Sequence, residues 1–338
     1  MKAWLLDRLE GLNHLRIADI PNPIPGKNQA LLEVDFAALN PADRYLAQAE
    51  YPAKPELPHI LGRDGIGTVT AIGPDVTHFK PGDRAIVLRS EVGVNRPGTF
   101  AQKVIVPAES LAPVPTGWTD QQAAAASLVY LTAYQALTQW GDLPPSVVLV
   151  TGASGGVGVA SIQLATAFGH TPIALSRDPA KRETLKQLGA KIALDPTDPT
   201  WPAQLKEALP HRKVDLAIDN IGGPLLNDVI TTLGYNGKVS IVGRLAGPVP
   251  QFNTSTLLFR RLKIGGVAVS TYTPPQSQTA WQAIVQTMDR AHFRPLIDSV
   301  FPFEKLIEAF DRLAEGPMGK VLIQVSSRLR RWNHREES

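Results

Sequence analysis

The chain has no cysteine among its 338 residues. Disulfides, thiolate nucleophiles and zinc sites built on sulfur ligands are therefore excluded. Long hydrophobic runs are missing too. The longest apolar stretch, AAAASLVYLTAYQAL at 123–137, is broken by Ser, Tyr, Thr and Gln and is shorter than the roughly 20 residues that cross a bilayer. The opening MKAWLLDRLEG turns acidic too early for a secretory signal, so a cytoplasmic location without a membrane partner is expected. Strong charge of either sign is absent: 34 Lys and Arg face 31 Asp and Glu, a net +3, which does not imply nucleic-acid binding. What is present is ordinary for a folded soluble chain, with 43% hydrophobic and 19% charged residues. The length exceeds one hydrophobic core and predicts two domains with a cleft between them.

Two rhythms divide the chain. Residues 1–118 are rich in Pro, Gly and β-branched residues, and the short apolar segments ALLEV, GTVTAI, RAIVL and KVIVP are separated by PGK, GPD, KPGD and RPG. That pattern predicts an all-β region with tight turns. From about 144 strand and helix patterns alternate: SVVLVT, a helix VGVASIQLATAF ending at Gly169, PIALS, a helix from Pro179 to Leu188 between Asp178 and Gly189, KIAL, PAQLKEAL, KVDLAID, LLNDVITTL, GKVSIVG and LKIGGVAV. Six strands separated by helices predict an α/β, doubly wound parallel sheet. Beyond 270 follow a helix WQAIVQTMDRA, a second helix around 304–315 and a strand KVLIQV; the basic RLRRWNHREES reads as a frayed terminus, with a functional basic patch as the alternative.

The segment VLVTGASGGVG, 148–158, lies where the first of these strands gives way to a helix. Gly152, Gly155 and Gly158 permit a sharp turn, close approach of a pyrophosphate and tight packing of helix on sheet, with free N–H groups at the helix start. A dinucleotide site is the expectation. The same letters fit a G-x-S-x-G nucleophile elbow, with Ser154 as a hydrolase nucleophile and Asp219 and His292 following in chain order, although no His-Gly-Gly oxyanion loop precedes them and His292 falls on a predicted helix. At the end of the second strand, ALSRDPAKR offers Ser176 and Arg177, with Lys181 and Arg182 one turn on. These suit a ribose 2′-phosphate, hence NADPH; Asp178 is the acid that would bind the NAD ribose if the strand ran further, but before Pro179 it reads as a helix cap.

The ordered series GRDGIGTVTAIG, KPGDRA, GTFAQKVIVP, LTAYQAL, GASGGVG, DNIGG, KVSIVG and GKVLI, running from residue 1 to about 325, resembles the medium-chain dehydrogenase/reductase superfamily, in its zinc-free quinone oxidoreductase branch. The resemblance implies a GroES-like β-barrel catalytic domain over 1–118 and 269–338 and a Rossmann domain that binds NADP over 119–268. Zinc-dependent relatives carry Gly-His-Glu where this chain has Gly62, Arg63 and Asp64; a guanidinium has no lone pair for a metal. The other ligand positions fall at Leu39–Asn40 and near Leu128 to Tyr130, and the interval RSEVGVNRPGTF is too short for a structural zinc lobe. No metal is expected. Asp64 is expected to pair with Arg63 or a neighbouring Arg.

Without a Lewis acid, reduction of an activated acceptor is the chemistry implied: a quinone, or a conjugated enone or alkenal. By resemblance Asn40 and Tyr45 face the nicotinamide end of the cleft and Tyr51 borders the substrate; packing of both tyrosines and capping of a short helix by Asp43 is the alternative reading of LNPADRYLAQAEYP. The backbone of Ser154, Gly155, Gly156 and Val157 would hold the pyrophosphate, and Thr132 the nicotinamide ribose. Val242, Gly243, Arg244, Gly266 and Val267, with Asn220 and Gly222, would form the nicotinamide rim. Arg244 stands where a small or polar residue is common and is expected to narrow the cleft or add an anion site. A homodimer joined near KIGGVAV is implied as well. A low-turnover NADPH-binding protein with a structural or nucleic-acid-associated role is a further alternative, resting on the tail with Trp332 and on Arg260, Arg261 and Lys263.

Overall fold

The computed structural model describes residues 1–88, 91–247 and 253–326. The basic tail and its Trp332 lie outside that range. The first region forms β1 (Lys2–Leu6), β2 (Leu15–Asp19), β3 (Gln29–Ala38), a short helix α1 (Pro41–Ala47), β4 (Asp64–Ile72), β5 (Arg84–Val87), β6 (Lys103–Pro107) and β7 (Leu111–Pro113). The breaks fall at the Pro and Gly clusters because proline lacks the ladder donor and glycine favours tight turns. Then come α2 (Asp120–Ala124), α3 (Ser127–Thr138), β8 (Val147–Val150), α4 (Gly156–Ala167), β9 (Thr171–Leu175), α5 (Pro179–Gln187), β10 (Ile192–Leu194), α6 (Trp201–Ala208), β11 (Val214–Asp219), α7 (Leu225–Thr232), β12 (Leu233–Ile241), α8 (Thr254–Arg260) and β13 (Lys263–Gly266). The chain closes with α9 (Pro274–Arg290), β14 (Ile297–Pro302), α10 (Leu306–Ala314) and β15 (Lys320–Gln324).

Strands β8 to β13 form one parallel sheet in the order β10-β9-β8-β11-β12-β13. Alternation along its strands feeds two cores. Val147 and Leu149 of β8 join Trp201 and Leu205 of α6 and Val229 and Ile230 of α7 on one face. Val148 and Val150 join Ala133, Ala160 and Trp281 on the other, where α3, α4 and α9 pack together. Burial of each valine, leucine or isoleucine among them is worth roughly 1.5–3 kcal/mol. The strand order reverses between β8 and β11, and ligands of open α/β sheets sit in the crevice at that switch point.

The second sheet mixes both ends of the chain. Its order is β14-β15-β3-β4-β5-β7, with β6 also paired to β3; β15 runs antiparallel to β3, opposing Leu322 to Ala38. Trp4 packs edge-on against Phe303 and donates its indole N–H to that residue's carbonyl at 2.9 Å, while Phe100 meets Phe310 edge-on. Two elements stray from the boundaries read in the sequence. α2 follows residue 118 yet packs on β3 and β4, and α9 follows residue 269 yet packs on α3 and α4. His292, expected on a helix, lies beyond the α9 cap Ala291 with φ of 55°: α9 starts seven residues before Trp281, at Pro274, and has run its length by Arg290.

Candidate active site

The turn from β8 into α4 carries the glycine-rich motif. Gly152 has φ of 55°, and a Cβ there would come within 2.8 Å of Ile221. Gly155 caps α4 in extended geometry and the helix begins at Gly156, so the first-turn N–H groups and the positive end of a 12-residue helix face the switch point. A Cβ on Gly156 would come within 2.8 Å of the Lys320 side chain, so this turn also adjoins β15 of the other sheet. Ser154 accepts the Gly319 N–H through its carbonyl at 2.8 Å. At the end of β11, Asp219 is committed to the turn: Thr151 Oγ1 donates to it at 2.7 Å, Ile221 N at 3.2 Å and Gly222 N at 3.1 Å. Asn220 donates its amide to the Thr151 carbonyl at 2.7 Å, whereas its buried Oδ1 has no partner. A buried acceptor left open beside a glycine turn and a free helix start fits a bound dinucleotide.

Across from that turn lies a closed network of charges. Asn40, Asp43, Arg63, Asp64, Ser127 and Lys320 are all buried, none more than 4% exposed. Asp64 does not pair with Arg63, because successive residues of an extended chain point to opposite sides. Its carboxylate instead accepts Ser127 Oγ at 2.8 Å, Leu128 N at 3.0 Å, Asn40 Nδ2 at 2.9 Å and Lys320 Nζ at 3.3 Å. Lys320 completes its shell with the Leu39 carbonyl at 2.8 Å and Asn40 Oδ1 at 2.7 Å. Arg63 turns the other way, to Asp43 at 3.2 Å and the Ala42 carbonyl at 3.1 Å. Asp43 in turn accepts the Asn40 N–H at 2.9 Å at the start of α1. Burial raises the Asp43 carboxyl above its ordinary range, with Arg63 opposing.

The sequence assigns no role to Ser127 or to Lys320, although Lys320 lies within the GKVLI segment. Ser127 sits in an alanine-rich run, and Lys320 opens a strand, KVLIQ, whose centre is apolar. Asn40 is expected at the nicotinamide end; in the structure both ends of its amide are taken up inside the network. Two tyrosines line the adjoining wall. Arg63 lies over the Tyr51 ring at 4.3 Å, and Arg244, from the loop after β12, lies over the Tyr45 ring at 4.8 Å. Burial raises the Tyr45 hydroxyl above its ordinary pKa, against the pull of Arg244. Thr132 donates its hydroxyl to the Leu128 carbonyl at 2.7 Å, one turn back on α3. Val242 and Gly243 donate their N–H groups to the Asp219 carbonyl at 2.8 and 3.1 Å, and Val267 donates its own to Ile241 at 2.9 Å, just past Gly266.

The far end of the cleft follows β9. Asp178 caps α5, accepting Ala180 N at 2.8 Å and Lys181 N at 3.3 Å. Ser176 is buried, Arg177 is exposed, and Lys181 reaches the Gly316 carbonyl at 2.5 Å. Arg182 braces this turn, donating to the carbonyls of Ser176 and Arg177 at 2.9 Å each and to Asp195 at 3.2 Å. The serine-hydrolase constellation is not assembled: the Asp219 carboxylate takes its hydrogen bonds from Thr151, Ile221 and Gly222, and His292 sits at the far end of α9 beside Asp289.

A glycine turn at the switch point of a parallel sheet, closed by a second sheet that includes the C-terminal strands, defines a nicotinamide-dependent oxidoreductase. Comparison with known proteins agrees. Residues 26–116 match the alcohol dehydrogenase GroES-like domain, and residues 156–289 match the zinc-binding dehydrogenase model. The quinone oxidoreductase of Sus scrofa is 28% identical over 309 residues, covering 90% of this chain and 92% of its own. A crystal structure of an NAD-dependent alcohol dehydrogenase superposes with a TM-score of 0.89 at 30% identity, over 96% of this chain and all 100% of the other. A mycobacterial protein complexed with NADPH gives a TM-score of 0.87 at 25% identity, over 96% and 100%. The chain belongs to the medium-chain dehydrogenase/reductase superfamily, in its quinone oxidoreductase branch.

The zinc implied by one of those family names does not fit the residues here. The Arg63 guanidinium offers no lone pair to a metal, Lys320 Nζ is taken up by three oxygens, and the Asp64 carboxylate already takes four donors. Among the described residues, no group of three His, Asp or Glu is placed to hold a metal ion, and no helix is long and apolar enough to cross a membrane.

Proposed function

We propose that this protein is an NADPH-dependent, zinc-independent reductase of quinones or of conjugated enones and alkenals. The observation that carries the reading is the closed network around Asp64 and Lys320, which fills with fixed cations the surroundings in which a metal would polarise an alcohol. Oxidation of an alcohol then lacks its Lewis acid, whereas an acceptor that is already electrophilic needs only hydride, hydrogen-bond donors and a proton. When bound, NADPH supplies the hydride. The residues of this chain do the rest. Asn220 and the start of α4 receive the dinucleotide; Ser176, Arg177 and Lys181 receive the 2′-phosphate, Asp178 being committed to capping. Tyr45, whose hydroxyl burial raises above its ordinary pKa, and Tyr51 border the acceptor and donate hydrogen bonds to the oxygen on which charge develops.

The test is transfer of label. An alkenal reduced with NADPH deuterated at its hydride position should carry deuterium at the β-carbon; absence of labelled product, together with no oxidation of NADPH by quinones, would sink the reading. A higher Michaelis constant for NADH than for NADPH is expected, and the reverse order would overturn the cofactor assignment. We also infer a homodimer through β13. It is the terminal strand of its sheet, Ile264 on it is partly exposed, and Leu258 and Phe259 of the adjoining α8 are 70% and 77% exposed. Light scattering should give twice the chain mass; a monomer at micromolar concentration contradicts this.

A further inference from the structure

We propose that Arg244, with Glu50 and Tyr45, forms a clasp across the cleft that sets the size of acceptor admitted. The inference rests on the reductase reading given above. Arg244 belongs to the loop after β12 of the parallel sheet, whereas Tyr45 lies on α1 and Glu50 just beyond it, 194 residues earlier in the chain. One guanidinium nitrogen, Nη2, donates to the Glu50 carbonyl at 2.7 Å and to its carboxylate at 3.2 Å. The guanidinium plane meanwhile lies over the Tyr45 ring, 4.8 Å from its centre. A single side chain thus ties the nicotinamide rim to the wall that carries both candidate tyrosines, by an ion pair, a main-chain hydrogen bond and a cation–π contact.

Neither end of this contact is fixed by burial. The Arg244 and Glu50 side chains are 36% and 50% exposed, so the ion pair is weak and open to salt. This contrasts with Arg63, which stacks on Tyr51 from inside the buried network at 2% side-chain exposure. One tyrosine is therefore backed by an immobile cation and the other by a releasable one. The loop behind Arg244 is seated firmly: Ala246 donates its N–H to the Ile221 carbonyl at 2.8 Å and Gly247 to the Arg244 carbonyl at 3.0 Å. Opening therefore needs only the side chain to swing, without unseating the loop. With the clasp shut, the flank of the cleft between the rim and α1 is closed by the guanidinium, and a flat one-ring acceptor is favoured over an extended polycyclic one.

The experiment compares wild type with R244A, R244K, E50A and the double variant E50A/R244A, each checked for an unchanged circular dichroism spectrum. Hydrogen exchange of residues 45–51 in the cofactor-free chain reads the clasp without any chemistry. Exchange should quicken in R244A and E50A, no further in the double variant, and be partly restored in R244K. The acceptor readout is the ratio of kcat/KM for a three-ring quinone to that for a one-ring quinone. It should rise roughly fivefold in R244A, the scale of one weak cation–π and ion-pair interaction removed. Unchanged exchange in R244A, additive effects of the two single changes, or an unchanged ratio would each overturn the proposal. If no acceptor is turned over by any form while exchange still quickens, the reductase reading fails and acceptor selection falls with it, whereas the clasp stands as a structural tie only.

Discussion

Lys320 is buried, and its Nζ is held by one carboxylate, one carbonyl and one amide oxygen. Removing one partner of a buried pair leaves the other uncompensated, at a cost of roughly 3–5 kcal/mol. Lys320→Met should therefore lower unfolding stability by about that amount, measured by urea denaturation. A loss below about 1 kcal/mol would show that Asp64 does not depend on it. His59 makes a second residue-scale prediction. It is buried, its Nε2 has no partner, and burial holds its imidazole below the ordinary value of 6.5. The folded state then binds fewer protons than the unfolded chain just below pH 6.5, so stability is full above that pH and falls as pH drops through it. His170, also lowered by burial, adds to the same slope. Tm should decline from neutrality toward pH 5.5, about one unit below the free imidazole, and less steeply in His59→Gln; an equal slope would remove His59 from the account. Sequence singles out Asn40 and Asp43 in one motif and Arg63 and Asp64 in another, but does not bring the two motifs together. It does not reveal which charge meets which, because Asp64 finds its cation 256 residues away and no local spacing encodes that contact.

Elements are most legible where local chemistry decides them. Asp178 before Pro179 predicts the start of α5, and the observed cap accepts two backbone N–H groups. Asp178→Ala should cost about 1 kcal/mol of stability and leave the ratio of Michaelis constants for NADPH and NADH unchanged. A shift of that ratio toward NADPH would mean that the carboxylate had influenced the ribose site. The six strands of the parallel sheet are legible because each is a short, mostly apolar segment alternating with helical ones. The start of α9 lies earlier than the apolar pattern implies, although its signal is present: Thr273 caps it and accepts Gln276 N, while Gln276 reaches back to Thr273 N at 2.8 Å, with prolines at the first helical positions. The prolines of STYTPPQSQ look like loop residues, yet proline is well suited to a first helical turn. α2 departs from the domain boundary for another reason. Its five residues are too few for periodicity to show which sheet its apolar side will choose.

At the scale of the molecule, strands from the N-terminal region and the last strands share one sheet, the middle builds another, and the network around Asp64 ties elements of the two together: its partners come from β15, from the cap of α1 and from the start of α3. Asp64 therefore also holds the start of α3, the helix that carries Thr132, through Ser127 and Leu128. The most direct test of the central claim is consumption of NADPH by the purified chain against quinones, alkenals and cyclic enones, alongside oxidation of secondary alcohols with NADP, each with added zinc and with a chelator. NADPH oxidation by quinones or enones that neither zinc nor chelator alters is the expected result, with no oxidation of alcohols. Alcohol oxidation that appears with zinc and vanishes with the chelator would contradict it.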